Sequence, residues 1–325
     1  MNIRRLGRSG LNISEVGLGC WQLGGDFGPI DSERARTIIE TAKESGVNFF
    51  DTADVYGAGQ SESYLGEVLG AETDIKIATK YGRWDGVYPD GYSLTSLKDA
   101  VRRAQDRLKR DVIDLLQLHC VPRDVLERGE VFDHLREVQQ AGLIANFGAS
   151  VETIAEALIC VDQPDLASLQ IIFNLFRQNA KEELFGKAES NDVGIIVRLP
   201  LASGLLSGKF SLDSRFDESD HRNYNKNGDA FSVGETFSGI EFEKALGFVE
   251  SLEGFKPEAY TMAQFAMRWI LDHPAVSTII PGASSIDQVK SNVAVSDLQA
   301  LSSSLHDELF EFYKEKVEAA VRCEI

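Results

Sequence analysis

Short apolar segments alternate along the chain with longer segments in which apolar residues recur every three or four positions. The short segments are apolar on both faces, which is typical of strands buried in a parallel sheet. A brief first strand is indicated by "VGLG" near Val16. The others are "VNFF" (47–50), "DIKIATK" (74–80), "VIDLLQLH" (112–119), "IANFGAS" (144–150), "LASLQIIF" (166–173), "VGIIVRLP" (193–200) and "VSTIIPG" (276–282).

The longer segments predict amphipathic helices between the strands. In the first of them, Asp31 and Ser32 are candidate caps and Gly46 is a candidate stop signal. The second places a row of apolar residues on one helical face: Leu97, Val101, Ala104 and Leu108.

Strands that alternate with helices about eight times in roughly 300 residues predict an α/β fold of the closed (β/α)8 TIM barrel type. An open, doubly wound sheet is the alternative that this pattern leaves. No low-complexity linker interrupts the chain, so residues 1–325 are predicted to form a single domain.

Two segments lie outside the repeat. The residues before Val16 predict an N-terminal hairpin with its turn at Gly7 to Gly10, placed to cap the bottom of the barrel. After the seventh strand, the polar stretch from Ser207 to Gly239 predicts a long loop, which is typical of a lid or a binding loop when it is not disordered.

Composition narrows the classes of partner. The chain has 33 Lys and Arg against 51 Asp and Glu, a formal net charge of −18, which argues against nucleic acid or an anionic membrane as a partner. No apolar run approaches the ~18 residues of a spanning helix, and the first residues lack the apolar region of a signal peptide. These features predict a cytoplasmic protein, and they carry no signal for its oligomeric state.

The cysteines do not predict a metal site. Cys20, Cys120, Cys160 and Cys323 form no CxxC pair and no His/Cys cluster at zinc spacing. They are typical of reduced thiols in a cytoplasmic protein.

Ionisable residues end three successive predicted strands. Asp51 ends the second, Lys80 the third and His119 the fourth, while Tyr56 follows Asp51 in a Gly-containing loop. Each has an ordinary structural explanation when taken alone. Because a barrel brings the carboxyl ends of its strands to one rim, the four are predicted to converge there.

Such a cluster is suited to reducing a carbonyl group. A phenol has a pKa near ~10, and an adjacent ammonium favours its ionised form and so makes it a better proton donor. A buried carboxylate holds that ammonium, and a neutral histidine donates a hydrogen bond to the substrate oxygen. No side chain delivers hydride, so a nicotinamide cofactor is required.

The motif "GVNFFDTADVYGAGQSESYLG", with "VIDLLQLH" and "IIPGASSIDQVKSN", resembles the aldo-keto reductase superfamily over nearly the whole chain. This resemblance implies an NAD(P)H-dependent reductase that converts an aldehyde or ketone, for example an aldose or a related small-molecule carbonyl substrate, to the alcohol. It implies a catalytic tetrad of Asp51, Tyr56, Lys80 and His119, with Tyr56 as the general acid.

The same resemblance implies the cofactor contacts. Those near the nicotinamide are Gly19, Cys20, Trp21, Asp51, Ser150, Gln170 and Arg198, where many relatives have an aromatic residue in place of Arg198. Those along the pyrophosphate are Leu199, Pro200, Leu201, Ser203, Gly204 and Lys209. Those toward the adenosine are Pro281, Gly282, Ser284, Ser285, Gln288 and Asn292.

NADPH is the expected cofactor, with NAD possible. Relatives that prefer NADPH commonly carry Lys or Arg where this chain has Ser284 and Ser285. A helix N-terminus and two hydroxyl groups still bind a phosphate, but without a cation the preference for NADPH is expected to be modest.

Two alternatives to the reductase remain at this point. A barrel isomerase or lyase would use Lys80 for a Schiff base, and a cofactor-binding regulatory subunit of the same fold would show little turnover. A Rossmann reading of Gly57 and Gly59 is disfavoured, because Glu62 stands where the third glycine should be.

Overall fold

The computed structural model describes all 325 residues. Its centre is a sheet of eight parallel strands, in which each strand pairs with the next one along the chain. These strands are β3 (Leu18–Gly19), β4 (Phe49–Asp51), β5 (Lys76–Tyr81), β6 (Leu115–His119), β7 (Phe147–Ser150), β8 (Ser168–Ile172), β9 (Gly194–Arg198) and β10 (Val276–Ile279). All eight predicted strands are present, although most are shorter than predicted.

The sheet closes into a barrel between its first and last strands. Parallel bridges join Val16 to Ile279 and Gly19 to Gly282. A Cβ atom on Gly19 would lie 2.5 Å from the carbonyl oxygen of Ile280, so the closure requires glycine at that position. The predicted (β/α)8 barrel is therefore confirmed, and the open-sheet alternative is wrong.

Helices surround the barrel. They are α1 (Ser32–Glu44), α2 (Gln60–Leu69), α3 (Leu94–Leu108), α4 (Arg123–Arg128), α5 (Glu130–Gln140), α6 (Ile154–Val161), α7 (Ala180–Glu183), α8 (Phe185–Ser190), α9 (His221–Tyr224), α10 (Phe242–Leu252), α11 (Met262–Leu271), α12 (Ile286–Val293) and α13 (Ser303–Phe312). None of them combines the length and the apolar composition needed to cross a membrane.

Local sequence signals set the helix boundaries and faces. Asp31 caps α1 by accepting a hydrogen bond from the Arg34 amide, and Gly46 follows that helix with a φ of +87°. In α3, the predicted apolar face is buried, and Ala100 joins it. The helices thus pack their apolar faces against the outside of the barrel, as amphipathic helices require.

The barrel interior changes from apolar to polar along the strand direction. A buried apolar layer includes Phe49, Ala78, Leu115 and Ile196. Residues two positions further along a strand point to the same side of the sheet. That step leads from Phe49 to Asp51 and from Ala78 to Lys80, so the pleat alone carries these polar groups to the carboxyl end of the barrel.

An N-terminal hairpin closes the opposite end, as predicted. Strands β1 (Ile3–Arg5) and β2 (Asn12–Ser14) pair antiparallel. Leu6 and Ile13 are buried in the same cluster as the interior apolar layer. The hairpin therefore plugs the bottom of the barrel, while the prediction of a single domain over residues 1–325 stays a prediction.

Because the hairpin plugs the barrel, replacing its two isoleucines by alanine should lower the free energy of unfolding by different amounts. Ile13→Ala is expected to lower the free energy of unfolding by about 2–5 kcal/mol, because Ile13 is fully buried and its loss leaves a cavity. Ile3→Ala is the matched control and should change it by less than about 0.5 kcal/mol, because Ile3 is 53% exposed. Urea denaturation measures both, and equal effects would show that the hairpin does not stabilise the barrel.

Candidate active site

A buried ion pair lies at the carboxyl end of the barrel. Lys80 at the end of β5 donates from Nζ to Asp51 Oδ1 at 2.5 Å and to the Thr52 carbonyl oxygen at 2.7 Å. Burial lowers the pKa of Lys80, but Asp51 and Tyr56 outweigh it, so the net shift is upward. The lysine is therefore a fixed cation.

The second oxygen of Asp51 is held by two glutamines from other strands. Gln117 Nε2 donates to Asp51 Oδ2 at 2.8 Å, and Gln170 Nε2 donates to it at 2.7 Å. Ser150 Oγ donates to Gln170 Oε1 at 3.1 Å. The predicted carboxamide-binding residues Ser150 and Gln170 thus belong to the same hydrogen-bond network as the ion pair.

Tyr56 lies above the ion pair, with its hydroxyl 3.3 Å from Lys80 Nζ. Burial raises the pKa of Tyr56 to about 12, although the Lys80 charge acts in the opposite direction. The ammonium alone would make Tyr56 a stronger acid, as predicted from the sequence, but the effect of burial is larger. The phenol is therefore protonated at neutral pH.

His119 at the end of β6 completes the group of four. Its ring centroid is 6.0 Å from that of Tyr56, and the two rings are nearly perpendicular. Burial lowers the pKa of His119 well below its usual range, and the nearby cations Lys80, Arg83 and Arg198 lower it further. The imidazole is therefore neutral and suited to donating a hydrogen bond without adding charge.

A cavity of about 920 Å³ opens above these residues. It is lined by Asp51, Tyr56 and His119, whereas Lys80 lies beneath them and does not reach it. Every residue predicted to contact the cofactor lines this one cavity: Gly19, Cys20, Trp21, Asp51, Ser150, Gln170, Arg198, Leu199, Pro200, Leu201, Ser203, Gly204, Lys209, Pro281, Gly282, Ser284, Ser285, Gln288 and Asn292. The sequence thus identified residues that lie far apart in the chain and meet in space.

One end of the cavity is formed by the start of α12. Ser285 caps this helix by accepting from the Gln288 amide at 3.3 Å, and Ser284 donates to Gln288 Oε1. Arg34 of α1 donates from Nε to the Ser284 carbonyl oxygen at 2.8 Å. A cation therefore lies beside the serine pair, and sequence reasoning missed it because it comes from a distant helix.

Arg198 at the end of β9 is fixed by contacts that the sequence did not indicate. It is 8% exposed, forms an ion pair with Glu235, and donates from Nη2 to the Val151 carbonyl oxygen at 2.9 Å. Glu235 belongs to the long loop, whose position in the chain gave no signal of this pairing. The ion pair joins the loop to the seventh barrel strand.

The long loop is folded over the cavity. It contains α9 and two short 3-10 turns, Val233–Glu235 and Phe237–Gly239. The His221 amide donates to the Asp26 carbonyl oxygen at 3.0 Å. Phe231 and Glu235 line the cavity, so the loop forms part of its wall.

Only some of the apolar residues near the strand ends reach the cavity. Trp21 and Phe27 line it, but Tyr81, Trp84 and Val121 do not. Tyr81 is buried and its hydroxyl is 2.7 Å from Ser96 Oγ. Arg83, two residues further along, lines the cavity in their place.

Fold and site together define a (β/α)8-barrel enzyme whose cavity places a tyrosine against a buried lysine–aspartate pair. A sequence model described as "Aldo/keto reductase family" matches residues 15–314. The chain belongs to the aldo/keto reductase family. Its predicted class, an NAD(P)H-dependent aldo-keto reductase, is thereby confirmed.

Individual relatives agree with this assignment. The chain is 32% identical over 310 residues to "Uncharacterized oxidoreductase YqkF" of Bacillus subtilis, covering 93% of each chain. It is 28% identical to a "Probable voltage-gated potassium channel subunit beta" of Arabidopsis thaliana, covering 92% of each. Among solved structures, the holo form of aldo-keto reductase AKR11C1 from Bacillus halodurans matches with a TM-score of 0.77 and 29% identity, covering 96% of each chain.

The buried ion pair predicts that a substitution at Asp51 restores stability lost by a substitution at Lys80. Lys80→Met should lower the free energy of unfolding by about 3–5 kcal/mol, because it leaves the Asp51 carboxylate buried and unpaired. Adding Asp51→Asn should recover much of that loss, because it removes the uncompensated charge. Urea denaturation of the three proteins tests this, and a double variant that is less stable than Lys80→Met would contradict it.

Proposed function

We propose that this protein reduces an aldehyde or ketone, such as an aldose or a related carbonyl compound, to the alcohol with NADPH. The observation that carries the proposal is the chain from Asp51 through Lys80 to the Tyr56 hydroxyl, which ends at the cavity beside His119. This arrangement supports proton donation to an oxygen that gains negative charge. NADPH, when bound, supplies the hydride.

Each residue has a role that its contacts support. His119 binds the carbonyl oxygen as a neutral hydrogen-bond donor. Tyr56 donates its proton to that oxygen as negative charge accumulates there. Lys80 stabilises the tyrosinate that remains, at 3.3 Å from its oxygen. Asp51 keeps Lys80 in place and charged.

The cavity suits a cofactor of this size and charge. Its volume of about 920 Å³ lies toward the upper end of the ~300–1,000 Å³ typical of ligand pockets. We assign Ser150, Gln170 and Arg198 to the nicotinamide end, and the segment from Leu199 to Gly204 with Lys209 to the pyrophosphate. The start of α12 is assigned to the adenosine end, where helix amides favour a phosphate.

The alternatives are less well supported. A Schiff base on Lys80 requires an accessible amine, whereas Lys80 is buried, bonded to three oxygens and absent from the cavity wall. A regulatory subunit with little turnover has a relative in the probable channel subunit. We favour the enzyme because all four residues needed for proton donation are present and in contact. The four unpaired cysteines support a cytoplasmic location.

Tyr56→Phe tests the general acid. It should lower kcat about 10²–10⁴-fold, because the phenol acts in the transition state. The Kd of NADPH, measured by tryptophan fluorescence quenching, should stay nearly unchanged. Tyr88→Phe is the control, since Tyr88 is 50% exposed and outside the cavity. If Tyr56→Phe kept more than about a tenth of wild-type kcat, the proton would come from another group.

A substitution at Arg34 tests whether this residue contributes to a preference for NADPH over NADH. If its guanidinium reaches the 2′-phosphate beside Ser284, Arg34→Met should weaken NADPH binding about tenfold and leave NADH binding unchanged. Arg36→Met on the same helix is the control, because its only ion pairs are with Glu40 and Glu67. Fluorescence titration of both cofactors gives the ratio. Equal weakening of NADPH and NADH would assign Arg34 a structural role only.

A further inference from the structure

One side of the cavity next to His119 is lined by ionic and polar side chains rather than by the apolar groups typical of a ligand pocket. We call this the polar wall and define it as Arg83, Cys120, Arg198 and Glu235, all of which line the cavity. Sequence reasoning assigned a function to only one of them, Arg198. The others are not used in the proton transfer described above.

Arg83 has hydrogen-bonding capacity left over. Its Nη2 donates to Glu152 Oε1 at 2.7 Å, and this is its only side-chain hydrogen bond to another residue. Nη1 therefore has no partner within the chain, and the side chain is 23% exposed. A guanidinium carries N–H donors on three nitrogens, so Arg83 presents a free donor to the cavity.

Glu235 has a free acceptor close by. Its Oε2 accepts from Arg198 Nη1, and Oε1 accepts from no group in the chain. A carboxylate oxygen of Glu235, one of Glu152 and the Cys120 sulfur all lie within 4.8 Å of one another. The polar wall thus offers a donor and an acceptor in a small space, which is the pair that a hydroxyl group needs because it both donates and accepts.

The polar wall is close to the reacting end of the cavity. Cys120 directly follows His119, and Arg83 is three residues beyond Lys80. The charges of Arg83 and Arg198 are near enough to lower the pKa of His119, and that of Glu235 acts on Tyr56. A group held by the polar wall would therefore lie near a carbonyl bound at Tyr56 and His119.

The other wall beside Tyr56 is aromatic. Trp21 stacks with Tyr56 at a centroid distance of 6.0 Å, and Phe27 meets Trp21 edge-on at 5.2 Å. Phe231 lies 6.0 Å from Trp21. These rings accept apolar substituents, so the two sides of a substrate meet different chemistry.

Charge decides which polar substituent the polar wall accepts. Arg83 is paired with Glu152 and Arg198 with Glu235, so the two cations are already neutralised. A carboxylate on the substrate would approach two carboxylates that lie within 4.8 Å of each other. A neutral hydroxyl group meets no such repulsion.

We propose that Arg83 and Glu235 form a subsite that selects carbonyl compounds with a hydroxyl group close to the carbonyl, and that disfavours those with a carboxylate there. This inference rests on the proposed reductase function and assigns its substrate selectivity to two residues. Arg83 donates a hydrogen bond to the substrate hydroxyl oxygen, and Glu235 Oε1 accepts a hydrogen bond from the same hydroxyl group.

The test compares kcat/KM for two aldehydes with three carbons each, glyceraldehyde and propanal. Wild type should prefer glyceraldehyde about tenfold or more, because propanal leaves the donor and the acceptor unpaired. The same comparison of succinic semialdehyde with butanal should show no gain from the carboxylate. A wild type that does not distinguish glyceraldehyde from propanal, or that prefers succinic semialdehyde to butanal, overturns the proposal.

Arg83→Met assigns the selectivity to the residue. It should remove most of the preference for glyceraldehyde, because it should lower kcat/KM for glyceraldehyde about tenfold more than kcat/KM for propanal. Because this variant leaves Glu152 without its partner, the double variant Arg83→Met with Glu152→Gln is measured as well. Arg123→Met is the control, as Arg123 is an exposed arginine outside the cavity.

A second readout needs no turnover. Glycerol and 1-propanol are titrated against the enzyme and followed by its tryptophan fluorescence, to which Trp21 in the cavity wall contributes. Glycerol is expected to bind more tightly than 1-propanol in wild type but not in the double variant. If neither aldehyde is reduced, the proposed function fails, and the titration still reports on the subsite. Equal losses for glyceraldehyde and propanal in both Arg83 variants, or no preference for glycerol, overturn the assignment of the subsite.

Discussion

The site depends on a lysine and an aspartate buried together at the top of the barrel. Neither charge would be stable there alone, because removing a single ion from water costs several kcal/mol. The Lys80–Asp51 contact at 2.5 Å, with the two glutamines on Asp51 and the Thr52 carbonyl on Lys80, satisfies most of their hydrogen-bonding capacity. Four strands are thereby joined through one polar network, and the Tyr56 hydroxyl is placed against a permanent positive charge.

Such a network requires a barrel whose interior is apolar below and polar above. The hairpin plug and the layer at Phe49 and Ala78 exclude water from beneath the ion pair. Exclusion of water strengthens the electrostatic effect of Lys80 on Tyr56, and it also makes the phenol difficult to ionise at rest. The same burial thus keeps the Tyr56 phenol protonated at neutral pH.

The long loop contributes a second buried ion pair, at the side of the cavity. Its Glu235 neutralises Arg198, which would otherwise be a buried, unpaired cation at the cavity wall. The loop therefore contributes to the electrostatics of the site as well as covering it. Because Glu235 also presents an unused oxygen to the cavity, this ion pair links the position of the loop to the polar wall of the cavity.

The sequence alone determined the architecture and the residues that meet at the carboxyl end of the barrel. Apolar runs separated by amphipathic helices specify a parallel barrel, and a barrel must bring its strand ends to one rim, so Asp51, Lys80 and His119 could be placed together without coordinates. The family motifs extended this to the cavity lining. These signals are local or periodic, so they can be recognised from the order of the residues alone.

The tertiary structure alone decided the pairings between distant side chains. Arg34 beside Ser284, Glu235 on Arg198 and Glu152 on Arg83 join residues from separate helices, loops and strand ends. The direction of the Tyr56 pKa shift also depends on the tertiary structure. Burial raises this pKa and the Lys80 charge lowers it, so the net shift follows from how deeply the phenol is buried and how close the charge lies. Spacing along a chain specifies which face a residue occupies, but it carries no distance to a side chain 37, 69 or 250 positions away.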